Sequence, residues 1–241
     1  MKSGTFATAN GEGPPLVLVH GVGLDHTMWN RVVEPLTASH QVIRYDLLGH
    51  GRTSDPPGPR VLEDFVAQLL TVLETYQLDR ADIAGLSLGG MIALAVAVRE
   101  PHRVDRLALL NTVFERSPEQ LASAKVRLAV AEKQGMSAVA DLAVNRWFSP
   151  RWQTQHPVAT TEVRQRLSRT VPIAYLKAYR VFVTGDSLMP KGAASVIAPT
   201  LVMTGELDSG STPAMSKALA ERIPNGCSRA LPGLHHIPPI E

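Results

Sequence analysis

Ser87, Asp208 and the histidine pair His235 and His236 are the residues whose types and order could do chemistry together. Ser87 sits in Gly85-Leu86-Ser87-Leu88-Gly89. The apolar run Ala81 to Ala84 leads in, and Gly90-Met91-Ile92-Ala93-Leu94-Ala95-Val96 leads out. Strand, tight turn and helix with a serine at the tip is the pattern that exposes a nucleophilic hydroxyl. Such a turn strains the serine and needs glycines beside it, because a Cβ there would collide with the neighbouring strand or helix. The next helix points its unpaired N–H groups at the serine, which favours an oxyanion.

A serine hydroxyl is a poor nucleophile until a base takes its proton, and histidine suits that task near neutral pH. The imidazole needs a carboxylate to fix its tautomer and stabilise its charged form. On a strand–turn–helix scaffold of this kind, the expected chain order is Ser, acid, His. Thr200-Leu201-Val202-Met203-Thr204 reads as a strand, and Asp208 follows it after Gly205-Glu206-Leu207. Glu206 is a nearby competitor and Asp186 a more remote one. The base is His235 or His236, and spacing alone leaves both open.

The oxyanion needs two donors. One is expected from the backbone N–H of Leu88, the residue after the nucleophile. The second is expected from Val22 N–H, in His20-Gly21-Val22-Gly23. His26 lies in the loop after the first strand and is expected to line the cleft. His40, His102 and His156 fall near helix ends or loops and are expected to face solvent. Asp46 to Ser54 reads as a structural turn bordering the site. It has too few ligands at metal spacing for zinc, and there is no H-E-x-x-H. The expectation is no metal and no cofactor.

The elements around these residues alternate. Strands are predicted at Leu16–Val19, Gln41–Tyr45, Ala81–Gly85, Arg106–Leu110 and Thr200–Thr204, with a weaker one at Cys227–Leu231. Leu62, Phe65, Val66, Leu69, Leu73 and Tyr76 recur at three- and four-residue spacing, one apolar face of a helix. Met91–Val98 is apolar nearly all round, as in a helix packed into a core. Another helix starts at Pro213 and stops before Pro224. The pattern implies an α/β fold, a mostly parallel sheet with helices on both faces. Residues 112–195 break the rhythm. Pro118–Gln134, Ser137–Trp147, Thr160–Thr170 and Ile173–Val183 read as helices, with no convincing strand. We expect a core of 1–111 and 196–241, roofed at the carboxyl ends of its strands by a helical insertion of 112–195.

Composition narrows the partners. The chain has 241 residues and a net charge of +2. No basic stripe stands out, so nucleic acid is not an expected partner. One cysteine, Cys227, cannot form an internal disulfide or a cysteine-built zinc site. No apolar run reaches the roughly 18 to 20 residues that span a bilayer, and the N-terminus lacks a signal-peptide core. The expectation is a soluble cytoplasmic protein acting on a small molecule, not on a membrane.

Together these residues resemble the α/β-hydrolase superfamily. His20 to Gly23, Asp46 to Ser54, Gly85 to Gly90, and Asp208 with the terminal histidines match in order. In such proteins the base usually stands five residues before a glutamate. Here that gives His236 and Glu241. Within the superfamily the chain looks most like 3-oxoadipate enol-lactonases. That likeness rests on Met28-Trp29, Arg44-Tyr45-Asp46, Gly49-His50-Gly51-Arg52, Pro56 to Pro59, the elbow, and Arg146-Trp147-Phe148-Ser149-Pro150. It implies hydrolysis of a lactone or ester that carries a carboxylate, with Arg146 and Trp147 as substrate-binding candidates. Such lactonases often lack a histidine at the position of His20, which points here toward a general esterase. The superfamily usually has two strands before Leu16, where this chain has room for one. A last helix usually follows the histidine and covers apolar sheet surface, so an uncovered apolar patch is expected.

Two other readings use the same residues. Carbon–carbon hydrolases of ring-cleavage products and cofactor-free perhydrolases share the triad. A ligand-sensing receptor can also stand on this fold.

Overall fold

The computed structural model describes residues 4–185 and 192–241. Asp186 lies outside the described residues. Seven strands form one sheet: β1 (Ala7–Asn10), β2 (Pro15–Val19), β3 (Gln41–Tyr45), β4 (Ala81–Leu86), β5 (Val104–Leu110), β6 (Thr200–Gly205) and β7 (Gly226–Leu231). Their spatial order is β1-β3-β2-β4-β5-β6-β7. Only β1 runs antiparallel, pairing Ala7 with Tyr45 of β3. All other neighbours are parallel. Among the described residues, β1 is the one strand that precedes β2.

The helices are α1 (Asn30–Thr37), α2 (Leu62–Thr75), α3 (Leu88–Arg99), α4 (Pro118–Trp147), α5 (Pro150–Gln155), α6 (Pro157–Arg169), α7 (Pro172–Thr184) and α8 (Pro213–Arg222). The all-round apolar character of α3 has its reason in packing: every residue from Leu88 to Ala97 is buried. The helix lies against β4, β5 and α2. By contrast, α1 buries no residue fully and carries Pro35 inside it, so periodicity did not reveal it.

Helices α4 to α7 fall between β5 and β6. The two helices predicted over 118–134 and 137–147 are one element, α4, broken at Gly135 (φ 77°, ψ −175°). Ser117 caps its start, accepting from the Gln120 N–H. Salt bridges tie this segment to the loops beneath it: Arg166 to Asp25 at 3.1 Å and Lys177 to Asp55 at 2.8 Å. No helix is long and apolar enough to cross a membrane among the described residues.

Two histidines under the β2 and β3 loops face each other, His20 and His50, with ring centroids 5.4 Å apart. His20 Nε2 accepts from the Leu47 N–H and its Nδ1 donates to the Gly21 carbonyl, so the ring is neutral. Burial lowers the pKa of both, that of His50 to about 4, and the neighbouring His20 adds to the effect on His50. An unfolded histidine titrates near 6.5. Between those two values the unfolded chain takes up a proton that the folded chain refuses, so stability falls as pH drops from about 6.5 toward 4. We expect His50 alone to remove about 2 kcal/mol between pH 7 and pH 5. Urea midpoints at the two pH values measure this, and His50→Gln should flatten the difference.

Candidate active site

The sheet delivers each site residue past a strand's carboxyl end. Ser87 joins β4 to α3 with φ 55° and ψ −116°, a left-handed conformation that L-residues rarely adopt. The flanking glycines are sterically required: a Cβ on Gly85 would overlap the Gly89 carbonyl, and one on Gly89 the Val19 carbonyl of β2. The Ser87 N–H donates to the Leu110 carbonyl at 2.8 Å, which fastens the turn to the end of β5.

Asp208 lies in the loop after β6 and is almost wholly buried. His236 Nδ1 donates to its Oδ2 at 2.6 Å. Gly210 and Ser211 N–H groups donate to Oδ1 at 2.8 and 3.2 Å. Burial alone would raise the Asp208 pKa. The charge and hydrogen bond of His236, the Asn111 amide and nearby Arg146 outweigh it and hold the carboxyl far below its usual range. A charged carboxylate at Nδ1 leaves Nε2 as the basic nitrogen.

The competitors are placed elsewhere. Glu206 is exposed and accepts from the Gly233 N–H. The His235 ring turns to Glu241, with Nδ1 3.2 Å from Oε1. His236 instead faces a cavity that Ser87 also lines. Among the described residues no hydrogen bond joins Ser87 Oγ to His236, and such contacts are often loose before substrate binds. The N–H groups of Val22 and Leu88 have no protein acceptor among the described residues. Val22 lines the cavity beside Gly21, and Leu88 opens α3.

His26 does not line that cavity, contrary to the sequence expectation. Asp46 holds it away: Oδ1 accepts from both the His26 N–H at 2.7 Å and Nδ1 at 2.8 Å. Asp25, His26 and Asp46 come close enough together to suggest a cation seat. Their donor atoms are already engaged. Asp46 Oδ2 accepts from the Arg52 N–H, and Asp25 binds Thr27 and Arg166. The cluster knits the loops after β2 and β3. Of the histidines expected in solvent, His102 and His156 are exposed and His40 is half-buried near Asp82. Cys227 is exposed on the edge strand β7.

Helix α4 closes the cavity from above. The Trp147 ring stacks on His236 with centroids 6.0 Å apart, and its carbonyl accepts from the His236 N–H at 3.3 Å. Arg146 lines the cavity beside Trp147, with a buried Nε that meets no acceptor. Burial and then neighbouring Arg127 lower its pKa. Arg127 was not singled out in the sequence. It lines the same cavity and donates to Tyr179 Oη and Ser123 Oγ, each at 2.8 Å. Among the described residues neither arginine pairs with a carboxylate. Asp208 acts on Arg146 through charge but shares no hydrogen bond with it. Two like charges in a wall of Leu24, Val130, Val139 and Phe182 are costly without an anion between them.

Known proteins resemble this chain over most of its length. An (E)-2-((N-methylformamido)methylene)succinate hydrolase of Acinetobacter baylyi is 32% identical over 94% of this chain and 85% of its own length. 3-Oxoadipate enol-lactonase 2 of the same organism is 26% identical over 96% of this chain and 84% of its own. The crystal structure of the enol-lactonase from Burkholderia xenovorans LB400 superposes with a TM-score of 0.88 and 31% identity, covering 97% of this chain and 89% of that one. Residues 14–137 match the alpha/beta hydrolase fold family. With a sheet, an elbow and relatives of this kind, the chain belongs to the α/β-hydrolase fold family and stands among its hydrolases.

Proposed function

We propose that this chain is a cytoplasmic, cofactor-free serine hydrolase that cleaves small carboxylic esters or lactones through an acyl-enzyme. The observation that carries the reading is His236, held by Asp208 at 2.6 Å on one side and open on the other to the cavity of Ser87. Ser87 Oγ attacks the carbonyl carbon while His236 Nε2 takes its proton. Val22 and Leu88 N–H groups hold the oxyanion. The tetrahedral centre collapses, and His236 returns the proton to the departing alkoxide or enolate oxygen. Water, deprotonated by the same imidazole, then releases the acid and restores Ser87. Residues 112–195 act as a cap over the core formed by 1–111 and 196–241.

The substrate carries a carboxylate. Arg146 and Arg127 supply two cations for it, and a guanidinium can bind a carboxylate bidentately. Two of the relatives are named for a succinate and an oxoadipate derivative. An anionic enol-lactone such as 3-oxoadipate enol-lactone fits that description. Trp147 forms the wall between this anion seat and the base.

A panel of small esters, lactones and ring-cleavage dienones tests the reaction class. We expect the fastest turnover on a carboxylate-bearing ester or lactone. A phosphonylating probe should add its mass to the peptide holding Ser87 and stop turnover. A dienone cleaved faster than every ester would favour the carbon–carbon reading. Slow single turnover with a stable adduct would favour a receptor.

A further inference from the structure

Asn111 directly follows β5 and is wholly buried, in a left-handed backbone conformation with φ 48°. Asparagine tolerates that region better than most residues. Its Nδ2 stands 2.8 Å from Asp208 Oδ2, 3.0 Å from the His235 carbonyl and 3.2 Å from Thr204 Oγ1. Thr204 Oγ1 gives its own proton to the Ser211 carbonyl, so toward Asn111 it can only accept. Three acceptors therefore surround one end of the amide, and that end must be the NH2 group. The other end, Oδ1, is buried with no partner. An apolar residue would leave no orphan oxygen here. What the asparagine adds is the donor.

The position links the serine turn to the loops of Asp208 and His236. The Asn111 N–H donates to Met203 of β6, and the preceding carbonyl, of Leu110, accepts from the Ser87 N–H, each at 2.8 Å. Asp208 Oδ2 thus accepts from two directions, His236 Nδ1 and Asn111 Nδ2. Without the second donor His236 Nδ1 alone holds Oδ2, while Oδ1 keeps the Gly210 and Ser211 N–H groups. We infer that Asn111 is a positioning residue, which orients Asp208 Oδ2 toward His236 and fixes the His235–His236 backbone relative to the serine turn. The inference rests on the serine-hydrolase reading above.

Two variants separate positioning from packing. Asn111→Gly removes the donor and accepts the left-handed backbone. It should lower kcat tenfold to a hundredfold with KM changed less than threefold. Asn111→Asp keeps the shape and sets two carboxyl groups side by side, which cannot both ionise freely. The charged groups around it are Asp208, His236 and Arg146. While the pair holds a proton, the acid can donate to Asp208 as the amide does. Activity of Asn111→Asp should therefore fall about tenfold between pH 7 and pH 9, where the unaltered protein holds a plateau. A profile that superimposes on the unaltered one, or an Asn111→Gly kcat within twofold of it, would overturn the assignment. So would failure of both variants, and of Asn111→Ser, to fold, which would mark a packing residue. The low-field proton resonance of the His236–Asp208 hydrogen bond gives a readout free of substrate. It should shift or broaden in Asn111→Gly, and an unchanged resonance would overturn the inference even if no ester is turned over. Ester turnover that survives Ser87→Ala would count against the hydrolase reading instead.

Discussion

Ser87→Ala is expected to lower turnover of the best ester or lactone by about four to six orders of magnitude, the scale seen when a triad nucleophile is removed. KM should stay within a few-fold, because the anion seat and the apolar wall remain. The melting temperature should stay within about 2 °C, since alanine keeps the Cβ and nothing that packs is removed. Labelling by the phosphonylating probe should vanish with turnover. Steady-state kinetics, a thermal melt and intact mass together check the result. Turnover within tenfold of the unaltered protein would exclude Ser87 as the nucleophile.

Arg146→Met carries the second large effect, and its sign differs between two measurements. A charge-assisted hydrogen bond contributes about 1.5 to 3 kcal/mol, which corresponds to about 10- to 150-fold in KM. We expect a loss of that size for a carboxylate-bearing ester and less than threefold for its neutral methyl ester. Stability should move the other way. Methionine fills similar volume without burying a charge that has no carboxylate partner, so the melting temperature should equal or exceed that of the unaltered protein. Equal losses on the charged and neutral substrates would remove Arg146 from recognition. Arg127→Met should act in the same direction. The double variant should lose less than the sum, because the two guanidinium groups share one anion.

The serine turn and Asp208 were legible in the sequence because each follows a short apolar strand and sits near glycines, and His236 because it follows the last strand among prolines. The sheet was legible for the same reason: its central strands are largely buried and carry short apolar runs such as Leu16–Val19 and Leu107–Leu110. Strand β7 was weaker because it is an edge strand with mostly exposed residues. Helix α1 is short and interrupted by Pro35, and its apolar residues Val32, Val33 and Leu36 are only partly buried. Arg127 was hidden among many arginines of its segment. Only packing of α4 against α7 reveals which of them turn inward. His26 misled because its loop position is right for the cleft, while the pull of buried Asp46 could not be read from spacing. Asn111 left no signal at all: its partners lie 93, 97 and 124 residues away along the chain.

The break in α4 has a consequence for what the enzyme can select. Arg127 lies before Gly135 and Arg146 after it, so one helix carries both guanidinium groups on two separately directed rods. At φ 77° and ψ −175° the junction occupies a region essentially reserved for glycine. A Cβ there would meet nothing, so the constraint is torsional and not one of space. The spacing of the two cations is therefore set by the φ and ψ of one residue. Ligand length and helix geometry become one variable, and a chain that re-aimed this joint would change its preferred acid without altering any residue that touches it.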